Sequence, residues 1–336
     1  MPADQNERPV AVSRLNRRTA IAGTLGSLAA LHGNVHAQGE AWPSRPIRLV
    51  VPQGAGGGVD IIARVIAPEL SASLKQAVIV DNRPGASANI GGEFVARAAA
   101  DGYTVLFGIN QIVTFNPHIF PKMAYDPMAD LVPVTQTSVA GYILTVNNDL
   151  PVKTLAEFVA YAKKNPGKLS YGSWGPGSAH HLGTELLSQA AGLDMVHIPY
   201  KQSPVTDLIA GNIQVLIEVT AAIRPFVNAG SVRPLAYTGP TRHPAWPNLP
   251  TLAETYPGIE LTGWHGVWLP RGASPALIER FNTEFVRIVK TPQVQKQIAD
   301  LTFVATGTTP ADFQAIITRE NKRWGEVIRS RNIRVE

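Results

Sequence analysis

The sequence predicts an α/β fold built as two lobes, and three observations carry that expectation. Strand-like apolar runs alternate with helix-length amphipathic segments from Pro46 onward, two glycine-rich loops each join a strand to a helix, and two long β-rich stretches interrupt the alternation. The alternation favours mainly parallel sheets. The β-rich stretches, Leu131 to Val146 and Val232 to Tyr237 with the segment beyond Tyr237, are suited to crossing between lobes, and two crossings make a hinge over a cleft.

Ile47 to Val51 is a short apolar strand that ends in glycines, and Asp60 to Leu74 has helical spacing through Ile61, Ile62, Val65, Ile66 and Leu70. Val78 to Val80 repeats the strand pattern, Asn82-Arg83-Pro84-Gly85 turns the chain, Asn89 to Ala99 is a helix, and Tyr103 to Phe107 is a third strand. A second unit opens with a T-x-x-E capping box at Thr154 and Glu157, whose helix buries Leu155, Phe158, Val159 and Ala162. Strands at Leu169 to Tyr171, Met195 to Ile198 and Val215 to Val219 then alternate with helices at Ser178 to Ala191 and Val205 to Ala210. Two amphipathic helices, Ser274 to Lys290 and Thr309 to Arg329, close the chain, the second with Pro310 at its first position.

The chain has 336 residues, 45% of them apolar and 16% charged, with a net charge of +5, enough for a packed core and too little charge for a dedicated nucleic-acid binder. It contains no Cys, which excludes disulfides, thiol catalysis, Cys-type zinc sites and a lipid-modified N-terminal Cys. Residues 1–37 read as a cleaved export signal: Arg14, Arg17 and Arg18 precede an uncharged apolar stretch from Thr19 to Leu31, and Val35-His36-Ala37 fits a cleavage site. That stretch is shorter than the ~20 apolar residues a membrane span needs. The Arg17-Arg18 pair leaves the twin-arginine and general secretory routes both open. Removing four arginines and two acids with the signal leaves a weakly basic chain.

Chemistry concentrates in two loops. Pro52 to Gly58 follows the first strand and precedes a helix, so its free N–H groups can converge on an anion, with Gln53, Gly54, Ala55 and Gly56 as the residues that approach it. Ser173 to His181 joins a later strand to a helix in the same way. Ser178 stands at the N-cap, and its hydroxyl with the amides of Ala179 and His180 would form a second cradle from the opposite lobe. Ser173, Trp174, His181, Asn110 beyond the third strand, and Glu218 at a strand end complete the candidate ligand set. Trp174 has little core to join in a glycine-rich loop and offers a stacking face. Glu218 would be either a solvated acid or an acceptor for a ligand amine or hydroxyl, whereas Trp264, Trp268 and Trp324 read as core.

Other chemistries find less support. No G-x-S-x-G surrounds Ser173 or Ser178, and no H-E-x-x-H occurs, so neither a hydrolase elbow nor a zinc site is expected, and no metal or cofactor is implied. Adjacent His180 and His181 point apart on a helix. A rival reading is an exported nucleotide-dependent oxidoreductase, with Asp81 as the ribose-binding acid after the glycine loop, but Val59 occupies the last glycine of G-x-G-x-x-G.

Trp42-Pro43-Ser44-Arg45-Pro46, Gly56-Gly57-Gly58-Val59-Asp60, Asp81 to Ala86 with Asn89-Ile90-Gly91, Asp101-Gly102-Tyr103, Tyr125-Asp126-Pro127, Pro166 to Leu169, Gly177-Ser178 with His181-Leu182, and Val196 to Lys201 occur in this order. Together they resemble the Bug (TctC-like) solute-binding receptors of tripartite tricarboxylate transporters, across essentially all of the chain after residue 37. The resemblance implies a type II periplasmic-binding-protein fold, no catalysis, a small organic carboxylate held by the two loops, membrane permease subunits as partners, and a monomer in the periplasm. Expected boundaries are 38–139 with 244–336 for lobe 1 and 140–243 for lobe 2, hinged near 138–145 and 235–250. Gln53 and Gly54-Ala55 stand where the family usually has Phe and Pro-Pro, and Ile217-Glu218-Val219 where Phe-Asp-Asn is common, departures that bear on the ligand.

Overall fold

Ile47, Leu49, Val50 and Val51 are all buried, and a strand apolar on both faces belongs inside a sheet. β1 (Ile47–Val51) accordingly lies between β2 (Val78–Asn82) and β3 (Thr104–Ile109), parallel to both. The computed structural model describes residues 42–200 and 202–330, so the export-signal reading of residues 1–37 falls outside the described residues. The strands and helices among the described residues all belong to the unit from Arg45 onward.

Helix α1 (Gly58–Leu74) connects β1 to β2, and α2 (Asn89–Ala96) connects β2 to β3. The second parallel trio is β5 (Ser170–Ser173) between β6 (Val196–Pro199) and β7 (Val215–Val219). Helix α3 (Leu155–Lys164) precedes β5, α4 (Ala179–Ala191) follows it, α5 (Val205–Ala210) precedes β7, and α6 (Thr220–Asn228) follows it.

The expectation of mainly parallel sheets needs correction. Between the trios run β4 (Leu131–Val146) and β9 (Thr262–Pro270), antiparallel to each other, giving the order β2-β1-β3-β9-β4-β7-β5-β6. One strand carries the chain out of the first half and the other carries it back, so two adjacent passages must run in opposite directions. β4 pairs with β9 from Leu131 to Gly141, then with β7 from Tyr142 to Val146, and with β8 (Arg233–Tyr237) from Ile143 to Val146. The sixteen-residue strand therefore belongs to both halves. The segment after β8 is tied to its midpoint by Thr238, whose hydroxyl accepts from the Tyr142 amide and donates to the Leu261 carbonyl, each at 2.7 Å.

β9 lies outside the elements the sequence suggested, because its glycines and aromatics mask a strand pattern. A Cβ at Gly266 would strike the Phe313 ring and one at Gly263 the Tyr142 hydroxyl, so rings fill the space a side chain would take. The chain closes with α7 (Pro275–Val289), α8 (Pro292–Asp300), β10 (Val304–Ala305) on β4, and α9 (Pro310–Ser330). Helix α9 serves two cores: Phe313 and Ile317 join Val50, Leu106 and Trp268, while Trp324 and Ile328 join Phe115, Tyr171, Leu182 and Ile217.

Thr154 caps α3 by accepting from the Glu157 amide, but Glu157 reaches the Lys153 amide instead of the cap residue, so the predicted box is only half formed. The complete box is at Thr251 and Glu254. Among the described residues no helix is long and apolar enough to cross a membrane.

Candidate functional site

Strand order fixes where the two glycine loops sit. β1 has its sequence successors β2 and β3 on opposite sides, and β5 has β6 and β7 on opposite sides. The chain leaves the carboxyl end of each central strand at a switch point, where diverging connections open a crevice. Both loops line one cavity of about 810 Å³, which also takes in Asn110, Phe115, Tyr142, Trp264 and Phe303.

The first loop is tightened from within. Asp60, buried in the first turn of α1, accepts from the Gly56 amide at 2.8 Å, from Asn82 at 2.9 Å and from Arg64 at 2.9 Å. Burial raises its carboxyl pKa, but these hydrogen bonds and the Arg64 charge outweigh that and hold it below the usual range. Gly57 is the N-cap and its amide turns back to the Gly54 carbonyl. The next amides, Gly58 and Val59, have no acceptor within the helix, and both residues line the cavity.

The second loop is held by histidines. His181 Nδ1 accepts from the Gly177 amide at 3.0 Å, and its ring lies flat on His197, with centroids 4.1 Å apart and planes at 6°. His197 Nε2 lies 2.6 Å from Ser173 Oγ, which accepts from the Gly175 amide. Burial pushes His181 down to about 4, and burial with His181 alongside pushes His197 to about 4 against the opposing pull of Glu185. Two neutral rings thus brace the loop from behind. Ser178 donates to the Gly175 carbonyl at 2.8 Å and accepts from the His181 amide at 3.4 Å, so its proton is already used within the loop. The amides left for a ligand at this helix start are those of Ala179 and His180.

Glu218 forms the wall beside this loop. It is 1% exposed, and its oxygens accept from His180 Nε2 and Trp174 Nε1 at 2.9 Å each, and from the Val219 amide. Burial raises its pKa, but His180, Trp174 and the Val219 amide together hold it below the usual range. The reading of a solvated strand-end acid is therefore corrected. Glu218 keeps the indole of Trp174, 44% exposed, against the cavity. Burial and the Glu218 charge push the Tyr142 phenol upward, so it stays protonated, with its ring edge-on to His180 at 5.4 Å.

The cavity wall brings together Gln53, Gly54, Ala55, Gly56, Asn110, Trp174, Ser178, Ala179 and Glu218. Ser173 and His181 are off it. Both face into the lobe because they form the brace, and of the adjacent histidines it is His180 that reaches the wall. The sequence points to the His180 amide but not to its side chain, and it does not single out Tyr142, His265 or the turn residues Pro84, Gly85, Ser87 and Ala88, all of which line the cavity. Trp268 and Trp324 are core, whereas Trp264 is buried yet reaches the wall.

Asp81 does not support the nucleotide reading. It pairs with Arg83 at 2.8 Å and Arg48 at 3.6 Å and does not line the cavity. Among the described residues no cluster of His, Cys, Asp or Glu could hold a metal ion, and no described lining residue is Lys or Arg.

Comparison with known proteins agrees with this architecture. The protein BugT of Bordetella pertussis is 32% identical over 319 residues, 94% of this chain and 97% of its own. Rpa4515 of R. palustris, solved with adipate, superposes with a TM-score of 0.80 at 35% identity, covering 88% of this chain and all of its own. MatC of Rhodopseudomonas palustris, solved with bound malate, superposes at 0.76 with 26% identity, covering 85% of this chain and all of its own. Residues 62–333 match the tripartite tricarboxylate transporter family receptor, TctC, and the chain belongs to that family.

Proposed function

We propose that this protein is a periplasmic receptor that captures a small organic carboxylate between its two lobes and delivers it to membrane permease subunits, without catalysing a reaction. The observation that carries the reading is the convergence of two helix starts, Gly58 and Ala179, on one cavity with no lysine or arginine on its described wall. Backbone N–H groups at a helix N-terminus attract an anion without a fixed counter-charge, which suits a ligand that must be released again. The adipate and malate complexes of Rpa4515 and MatC support a carboxylate as the anion. The first-strand loop with Asn110 forms one jaw, and the Trp174 to His180 loop with Glu218 forms the other.

The lobes divide near 139 and 243, β4 and the segment after β8 being the hinge, and the receptor acts as a monomer exported by its N-terminal signal. Thermal-shift screening tests the reading. Organic acids should raise the melting midpoint and dinucleotides should not, since only a ligand that binds the folded state stabilises it. A midpoint raised by dinucleotides alone would overturn it.

A further inference from the structure

The turn after β2 contains three consecutive non-glycine residues in the left-handed region: Ala86, Ser87 and Ala88, at φ 45°, 54° and 74°. That conformation presses Cβ against a backbone carbonyl, which is why glycine normally fills such positions. This chain has glycine close by, at Gly85 just before the turn and at Gly91 and Gly92 just after it, yet places side chains in all three strained positions.

Packing accounts for Ala88, which is buried in the core with Val50 and Leu106. It does not account for Ser87. Ser87 is exposed and lines the cavity, and its hydroxyl has no hydrogen-bond partner among the described residues. The backbone behind it is fixed. Asn116, fully buried, donates from Nδ2 to the Ser87 carbonyl and to Asn89 Oδ1, both at 2.8 Å, while its own Oδ1 is buried without a partner. The Asn116 bond to the Ser87 carbonyl fixes the turn at the cost of left-handed strain and an unsatisfied buried oxygen, and it leaves the Ser87 hydroxyl on the wall of the cavity. Penalties of this kind persist where the surrounding structure enforces them, and they gather at ligand clamps.

We propose that Ser87 is a ligand-contacting, specificity-determining residue whose hydroxyl hydrogen-bonds an oxygen of the captured acid. The inference rests on the carboxylate reading above and adds a third contact region, outside the two glycine loops.

Calorimetric titration of the full chain with adipate, malate and benzoate, alongside Ser87→Ala and Ser87→Gly, tests it. Both substitutions remove the hydroxyl, and only glycine also relieves the strain. For whichever probe the wild type binds, both variants should bind about tenfold more weakly. Ser87→Gly should melt at or above the wild-type temperature and Ser87→Ala close to it. Wild-type affinity in both variants would overturn the inference and leave the carboxylate reading intact. A lower melting temperature in Ser87→Gly would also overturn it, because the side chain would then be serving the fold. Binding of none of the three acids by the wild type would overturn the carboxylate reading, and this inference with it.

Discussion

The indole N–H of Trp174 donates to the buried carboxylate of Glu218 across 2.9 Å, so a tryptophan in a glycine-rich loop is held by an ionised acid on a neighbouring strand. Removing the ring by Trp174→Ala should weaken binding of a flat acid such as benzoate roughly threefold to tenfold more than binding of succinate, the range expected for lost aromatic contact. Titration of both acids into both proteins checks this. Equal losses would reduce Trp174 to packing.

Glu218 gathers three donors, and Glu218→Leu would leave His180, Trp174 and the Val219 amide facing an apolar side chain. Breaking such a buried constellation should cost about 3 to 5 kcal/mol of stability. Urea unfolding measures it. Glu218→Gln, which keeps an acceptor oxygen, should cost less.

Ser178→Ala removes both the helix cap and the tie to the Gly175 carbonyl. Stability should fall by about 1 kcal/mol. Affinity for the captured acid should fall about tenfold, through displacement of the Ala179 and His180 amides rather than loss of a direct contact. Calorimetry separates the two effects, and wild-type affinity would remove this loop from the mechanism.

The brace behind the loop sets a dependence on pH. Burial pushes His181 and His197 of the brace down to about 4, and His265, on β9 and outside the brace, down to about 3, below the ordinary value of 6.5. The unfolded chain therefore binds more protons below pH 6.5, so the stability these residues give is complete above 6.5 and is lost as the pH falls toward their folded values. Glu218, also depressed, adds a loss in the same direction below about pH 4.5. Melting temperature should fall steadily from pH 6.5 to 4, with about two to three protons taken up on unfolding. A flat profile over that range would contradict the neutral brace.

Much of this was legible in the sequence, and the remainder was hidden for identifiable reasons. Aliphatic strands such as Ile47–Val51 and Val215–Val219 reveal themselves by composition, and glycine loops that join them to helices mark the switch points. β9 was hidden because Gly263 and Gly266 make room for Tyr142 and Phe313, a reason visible only in three dimensions. His180 and His181 carry no local signal that says which one faces the cavity. Helical phase relative to the sheet decides it.

Closure about β4 and the segment after β8 should make the molecule smaller on binding. Scattering at saturating acid should give a lower radius of gyration than without it. Identical profiles would remove the hinge from the account.

The central claim is that one acid sits between two helix starts. A crystal structure grown with the acid that most raises the melting temperature tests it directly. The account predicts carboxylate oxygens within about 2.7 to 3.2 Å of the amides at Gly58 or Val59 and of those at Ala179 or His180. An acid bound outside the cavity, or held by side-chain cations away from both helix starts, would contradict it.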